Sequence, residues 1–291
     1  MATLRELRTR VASISNIQRV TNAMQMVAAA KMRRAQDAIL AARPYAVQLD
    51  LVLRRLQGSV DTSQHALLAE SREGRELLVV VTADRGLCGG FNGNICRRAQ
   101  SELQQAGPDS VHLVTIGRKG RDYFRSRGFE AALDYPDLFR ALDYSQAVAI
   151  GHDLMQRFRD GEVGRVSLVF SEFRSVSQQV PVVTQLLPIV PPEEGQADAE
   201  GEDSSRNYLF EPEPAVLLEQ LVPRQVNVQI WRALLESNAG FYAAQMTAMD
   251  NATKNAGEIM EELTREMNKE RQASITLELM DIVGGAEAVA Q

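Results

Sequence analysis

Cysteine is nearly absent: two in 291 residues, Cys88 and Cys96, with no third or fourth ligand type nearby. That excludes a disulfide framework, makes a poor metal site, and suits a reducing cytoplasm. No run of about 18 apolar residues occurs, so no transmembrane helix is expected. The first residues, MATLRELRTRV, lack an apolar core segment, so no secretory signal is expected either. His65, His112 and His152 are scattered, and no nucleophile stands with a base in a recognisable pattern. Glycine is missing from residues 3–56, where Pro44 is the only proline, and no proline follows Pro223. Without those breakers, both ends of the chain are free to form long helices.

What is present fits that reading. A hydrophobic content of 45% with 24% charged residues is that of a globular protein able to bury a core. From Leu235 onward, small or apolar residues recur in alternating steps of four and three: Ala239, Tyr242, Met246, Met249, Thr253, Ala256, Met260, Leu263 and Met267. A seam held for more than four heptads predicts a long helix in a left-handed coiled coil. Its Ala, Thr and Met content favours close, adaptable contact over deep interlocking. At the other end Leu4, Leu7, Val11, Ile14, Ile17, Val20, Met24 and Val27 form an apolar stripe at helical spacing. Thr3 and Glu6 make a capping box for this helix. Pro44 leaves two outcomes open, a kink or an end and restart.

Charge suggests that the two ends belong together. Residues 1–56 carry ten basic and three acidic side chains, whereas residues 207–291 carry six basic and thirteen acidic ones. Opposite charge on two heptad-patterned segments favours their pairing. A basic arm can also bind nucleic acid, but this one lacks stacking aromatics and has its acidic counterpart in the same chain, so no nucleic-acid role is expected.

The middle alternates short β-branched runs with helical stretches. Strands are expected at 76–83, 111–117, 165–173 and 180–190, and helices at 92–106, 118–127 and 143–160. That order predicts a mainly parallel sheet with helices on its faces and an antiparallel hairpin at the end. The fold class is therefore α/β: a Rossmann-like domain with a long antiparallel coiled coil of the N- and C-terminal helices. The domain boundaries expected are 1–58 for the first helix, 75–190 for the α/β domain, 191–211 for an acidic solvated linker and 212–286 for the last helix.

Thr82 to Asn94, TADRGLCGGFNGN, is the most prominent local motif, a glycine-rich turn entering a helix. Such turns can hold phosphate. It has neither GxGxxG nor GxxxxGK[ST], so a tight turn is the stronger reading and no cofactor is expected. Arg271, Gln272, Thr276 and Glu278 lie where the C-terminal seam fails, which makes that end a candidate contact surface.

Three stretches resemble one family, the gamma subunit of the rotary F-type ATP synthase. These are IQRVTNAMQMVAAAKMRRAQ (17–36), TADRGLCGGFN (82–92), and AMDNATKNA (248–256) with NKERQASITLEL (268–279). The resemblance implies a non-catalytic central stalk, whose rotation, driven by proton or sodium transport, moves catalytic beta subunits through their nucleotide-binding states. It implies as partners the alpha and beta subunits, the epsilon subunit and the c-ring, in a complex on the cytoplasmic face of the bacterial inner membrane. It also implies contact roles toward the surrounding ring for Met24, Gln25, Lys31, Arg33, Arg34 and Arg85, and at the tip for Arg271, Gln272, Thr276 and Glu278. Within AGFYAAQMTAM (239–249) the chain departs from the family's pattern: Gly240 and Phe241 replace a Ser-Glu pair, and Gln245 replaces an arginine. The alternative from another class is a nucleotide-responsive α/β enzyme or sensor with a coiled-coil dimerisation arm.

Overall fold

A computed structural model describes residues 3–57, 65–68, 74–107, 110–189 and 211–290. The chain runs α1 (Leu4–Gln57), β1 (Arg75–Val81), α2 (Phe91–Ala106), β2 (Val111–Ile116), α3 (Arg118–Arg125), β3 (Ala131–Tyr135), α4 (Tyr144–Arg159), β4 (Val163–Ser175), β5 (Gln178–Leu187) and α5 (Pro214–Ala290). Pro44 and Pro223 both stand inside unbroken helices. Of the two outcomes left open for Pro44, the end and restart is therefore ruled out. Residues 191–210 of the expected acidic linker lie outside the described residues. No described helix is long and apolar enough to cross a membrane.

Two compact units divide the chain. One comprises Met1–Ala29 with Gln245–Gln291, and the other spans Ala30–Ala244.

The first unit is a pair of antiparallel helix segments. Thr3 caps α1 as expected: its backbone N–H donates to Glu6 Oε2 at 3.0 Å, and its hydroxyl accepts from Glu6 N at 3.3 Å. On α5 the heptad positions Met249, Thr253, Ala256, Met260, Leu263 and Met267 are all buried or half-buried, as the repeat requires.

On α1 the seam differs from the apolar stripe. Leu4, Leu7, Val11 and Ile14 face inward, but the line then runs through Gln18, Thr21, Gln25 and Ala28. Ile17, Val20 and Val27 are left 48%, 58% and 55% exposed. A two-helix seam keeps a 3.5-residue period, whereas the apolar residues from Ile14 take two successive steps of three, to Ile17 and Val20, and fall one position off it. The polar replacements are satisfied across the seam. Thr21 Oγ1 and Thr253 Oγ1 are 2.7 Å apart, and Gln25 Nε2 donates to Asp250 Oδ1 at 3.0 Å. The Gln18 amide fills the space beside Gly257, where a Cβ would meet its Nε2 at 3.2 Å.

The second unit is built on a five-stranded sheet of order β3-β2-β1-β4-β5. β1 pairs in parallel with both β2 and β4, and β4 pairs antiparallel with β5, so the expected hairpin is present. The central β1, LLVVV, is buried on both faces, which is why it reads as a continuous apolar run. Leu77, Val79 and Val81 join a core with α4 and with the Leu49–Leu56 and Leu218–Leu234 stretches of the long helices. Leu78 and Val80 join a second core under α2 and α3. β3 was not expected from the sequence. It is a five-residue edge strand, half-buried in alternation, and AALDY carries no β-branched residue to announce it.

Candidate functional site

The glycine-rich turn folds around its own side chains. Asn92, in the first turn of α2, accepts the Ala83 N–H at 2.9 Å and donates from Nδ2 to the Arg85 carbonyl at 3.1 Å and to Cys88 Sγ at 3.2 Å. Asp84 ties the turn to its neighbours: Oδ1 accepts the backbone N–H of Arg118 at 3.1 Å and of Asp137 at 2.9 Å. Thr82 is fully buried and accepts the Gly120 N–H at 2.8 Å. A Cβ at Gly117 would lie 2.1 Å from the Thr82 carbonyl, so this close approach requires glycine. Leu87 and Gly89 take positive φ of 62° and 55° at the apex, and Leu87 is presented to solvent. Burial raises the Cys88 thiol pKa, with a smaller opposing contribution from the backbone N–H of Asn92. These bonds make the loop a shaped turn, as the spacing suggested.

Phe91, the first residue of α2, carries the turn onto α5. Its ring lies edge-on to Phe241, with centroids 6.0 Å apart, and Phe241 in turn meets Tyr242 at 5.1 Å. Gly240 permits this: a Cβ there would stand 3.1 Å from the Phe91 ring. Lys31 Nζ on α1 lies 5.3 Å from the Tyr242 ring centroid, a cation–π contact. Ser237 Oγ accepts the Ser171 N–H at 3.4 Å one turn earlier. At Gly240 and Phe241 an aromatic chain thus joins turn, α5 and α1. Reasoning from sequence placed Tyr242 in the seam and Phe91 in the turn but did not join them through Phe241, and the Gly-Phe-Tyr run was the signal that could have done so.

The structure sorts the expected contact residues into three groups. Lys31, Arg33, Arg34 and Arg85 are exposed in the α/β unit, and Lys31 is joined to the turn by the aromatic chain. Met24 and Gln25 are half-buried on the paired-helix part of α1, and the Gln25 amide is already used by Asp250. Arg271, Gln272, Thr276 and Glu278 lie far along α5, all exposed, with Thr276 Oγ1 donating back to the Gln272 carbonyl at 2.9 Å.

This last group has a geometric cause for its exposure. The pairings of Thr21 with Thr253 and Gln25 with Asp250 fix an antiparallel register in which Leu4 falls opposite Glu270 or Arg271. α1 has no described residues to cover α5 beyond that point. Ile275, Leu277, Leu279, Met280, Ile282 and Val283 are between 50% and 68% exposed on this stretch. Isolated exposed apolar residues are ordinary; six within nine positions are an unusual concentration. No cluster of three or more metal-ligating side chains exists among the described residues.

The family model described as ATP synthase matches residues 3–289. The ATP synthase gamma chain of Chlorobium phaeobacteroides (strain BS1) is 47% identical, covering 99% of each chain. That of Pelotomaculum thermopropionicum is 46% identical over 99% of this chain and all of the relative. The chain belongs to the ATP synthase gamma chain family. Solved structures share the fold: the rotor of the Euglena gracilis mitochondrial ATP synthase has a TM-score of 0.66 at 19% identity, covering 94% of this chain and 98% of that one. The central stalk and c-ring structure from Tetrahymena thermophila gives 0.61 at 24%, covering 80% and 99%.

Proposed function

We propose that this chain is the central rotor stalk of a rotary ATP synthase, with no active site of its own. The bare end of α5 carries the reading: a paired helix continues past its partner and offers six large apolar side chains beside Arg271, Gln272, Thr276 and Glu278. Such an end needs a surrounding protein to cover it, and a ring of alpha and beta subunits supplies one. The basic side chains Lys31, Arg33, Arg34 and Arg85 then face acidic lever segments of that ring, with Met24 and Gln25 beside them. Residues 1–58 and 212–286 are the parts assigned to the ring. Residues 75–190 are assigned to the epsilon subunit and the c-ring. The complex is peripheral to the membrane, on the cytoplasmic face of a bacterial inner membrane.

The enzyme or sensor alternative is not favoured. The turn that would hold phosphate is occupied by Asn92 and Asp84, side chains of the protein itself. Replacing Arg271 and Gln272 together by alanine tests the stalk reading. Coupled ATP synthesis is expected to fall several-fold while the complex still assembles. Normal synthesis in the assembled double variant removes the tip assignment, and tight ATP binding by the purified chain alone revives the alternative.

A further inference from the structure

α1 carries two runs with the spacing of a coiled-coil seam, one residue apart. Gln18, Thr21, Gln25 and Ala28 form the run that faces α5, and Ile17, Val20, Met24 and Val27 form the other. Both advance in steps of three, four and three, so both satisfy the heptad rule. One residue turns a helix face by about 100°. The apolar run is the one turned away: Val27 is 55% exposed, while its neighbour Ala28 is 1% exposed. Burial of apolar surface alone favours the opposite choice.

The bonds across the seam supply what burial does not. Thr21 Oγ1 and Thr253 Oγ1, already paired with each other, also lie within reach of their own helices, 3.0 Å from the Gln18 carbonyl and 2.8 Å from the Met249 carbonyl. Each hydroxyl has one proton, so one of the two donates back to its helix and the other across the seam. Asp250 gathers two donors, Gln25 Nε2 at 3.0 Å and Lys254 Nζ at 2.6 Å. Turning this part of α1 by one residue breaks both cross-seam contacts and sets apolar side chains against Thr253 and Asp250. The turn itself is a three-residue stammer from Ile14 to Ile17, which a helix absorbs by local overwinding.

We propose that Thr21, Gln25, Asp250 and Thr253 act as a selector: they decide which of two competing runs on α1 becomes the seam, at a cost in stability. Polar residues at one layer of a coiled coil specify its packing in this way. The selector thereby keeps Ile17, Val20 and Val27 facing outward. It belongs to the helix pair alone and holds whichever partner covers that face, so the stalk reading stands or falls separately.

Val27→Cys and Ala28→Cys, made singly in the full chain, report the inward face through maleimide labelling. Labelling is read peptide by peptide, which separates these positions from the buried Cys88 and Cys96. Without other changes the first should label at least about tenfold faster than the second. Thr21→Val, Gln25→Leu, Asp250→Leu and Thr253→Val together make the layer apolar. The two labelling rates should then come within about threefold of each other, as both runs share the seam, while amide exchange over residues 246–263 slows by about threefold. Thr21→Val with Thr253→Val, a swap of similar shapes, should move both readouts the same way by less, and it decides the matter if the fourfold variant does not fold. An unchanged labelling ratio in the folded variants assigns the choice to the phase of Leu4 to Ile14 and overturns the proposal. Convergent labelling with faster exchange marks a general loosening of the pair and overturns it equally.

Discussion

The paired helices and the α/β unit bury their residues by opposite rules. In the α/β unit, β1 and α4 set large side chains at or near zero exposure, and Phe124, Phe158, Leu77 and Leu154 are completely enclosed. In the paired helices the seam is mostly half-buried, and its centre is a polar step of Thr21, Gln25, Asp250 and Thr253. A sheet covered on both faces excludes water throughout; two helices alone do so only in part, with Leu7 and Ala28 at 1% exposure but most seam residues half-buried. The first arrangement stores stability in packing, and the second holds its register with hydrogen bonds worth little individually.

Truncation of matched leucines tests this difference most strongly. Leu154→Ala leaves a void in the α/β core and should cost about 3 kcal/mol, whereas Leu263→Ala on the half-exposed seam should cost about 1 kcal/mol or less. Urea unfolding followed by circular dichroism measures both, and similar losses erase the distinction.

A smaller effect concerns how closely elements approach inside the core. A Cβ at Gly151 on α4 would lie 2.0 Å from Asn227 Oδ1 on α5. Gly151→Ala should cost about 2 kcal/mol by overpacking. Adding Asn227→Ala should recover most of it, because the Asn227 Oδ1 oxygen has no partner among the described residues to lose. A double variant as unstable as the single one contradicts the contact.

The pH responses should diverge as well. Burial pushes the Cys96 thiol up from 9.0 to about 12, against a small opposing effect of the Arg127 charge. A raised pKa in the folded state means stability that is complete below about pH 9 and is lost as pH rises toward 12. The α/β unit should therefore loosen in alkali, less so in Cys96→Ala. Asp250 in the paired helices is shifted the other way, chiefly by its hydrogen bond with Lys254, with Gln25 contributing less. A depressed pKa gives stability present above about pH 4 and lost as pH falls through the folded value. The Asp250 contribution is exposed and small. Amide exchange at the two units across pH 3 to 11 separates them, and parallel responses refute the contrast.

Much of the fold was readable because it rests on local periodicity. The α5 seam, the Thr3 cap, β1 and the hairpin each carry their signal within a few residues. β3 does not, since an edge strand is selected by the neighbour it pairs with. The contact residues divide likewise. Of those expected from the resemblance, Lys31, Arg33, Arg34 and Arg85 are exposed, whereas the bond that turns Gln25 inward depends on Asp250, more than two hundred residues away.

By itself the sequence determined two long helices of opposite charge, a parallel sheet between them and a glycine turn without a phosphate motif. Each follows from chemistry within one or two helical turns. The tertiary structure alone decided which face of α1 became the seam, how far α5 runs on uncovered, and what Gly240 and Phe241 pack against. Those outcomes hang on register and on contacts between distant segments, where one step along a helix turns a side chain by about 100° and exchanges partner for solvent.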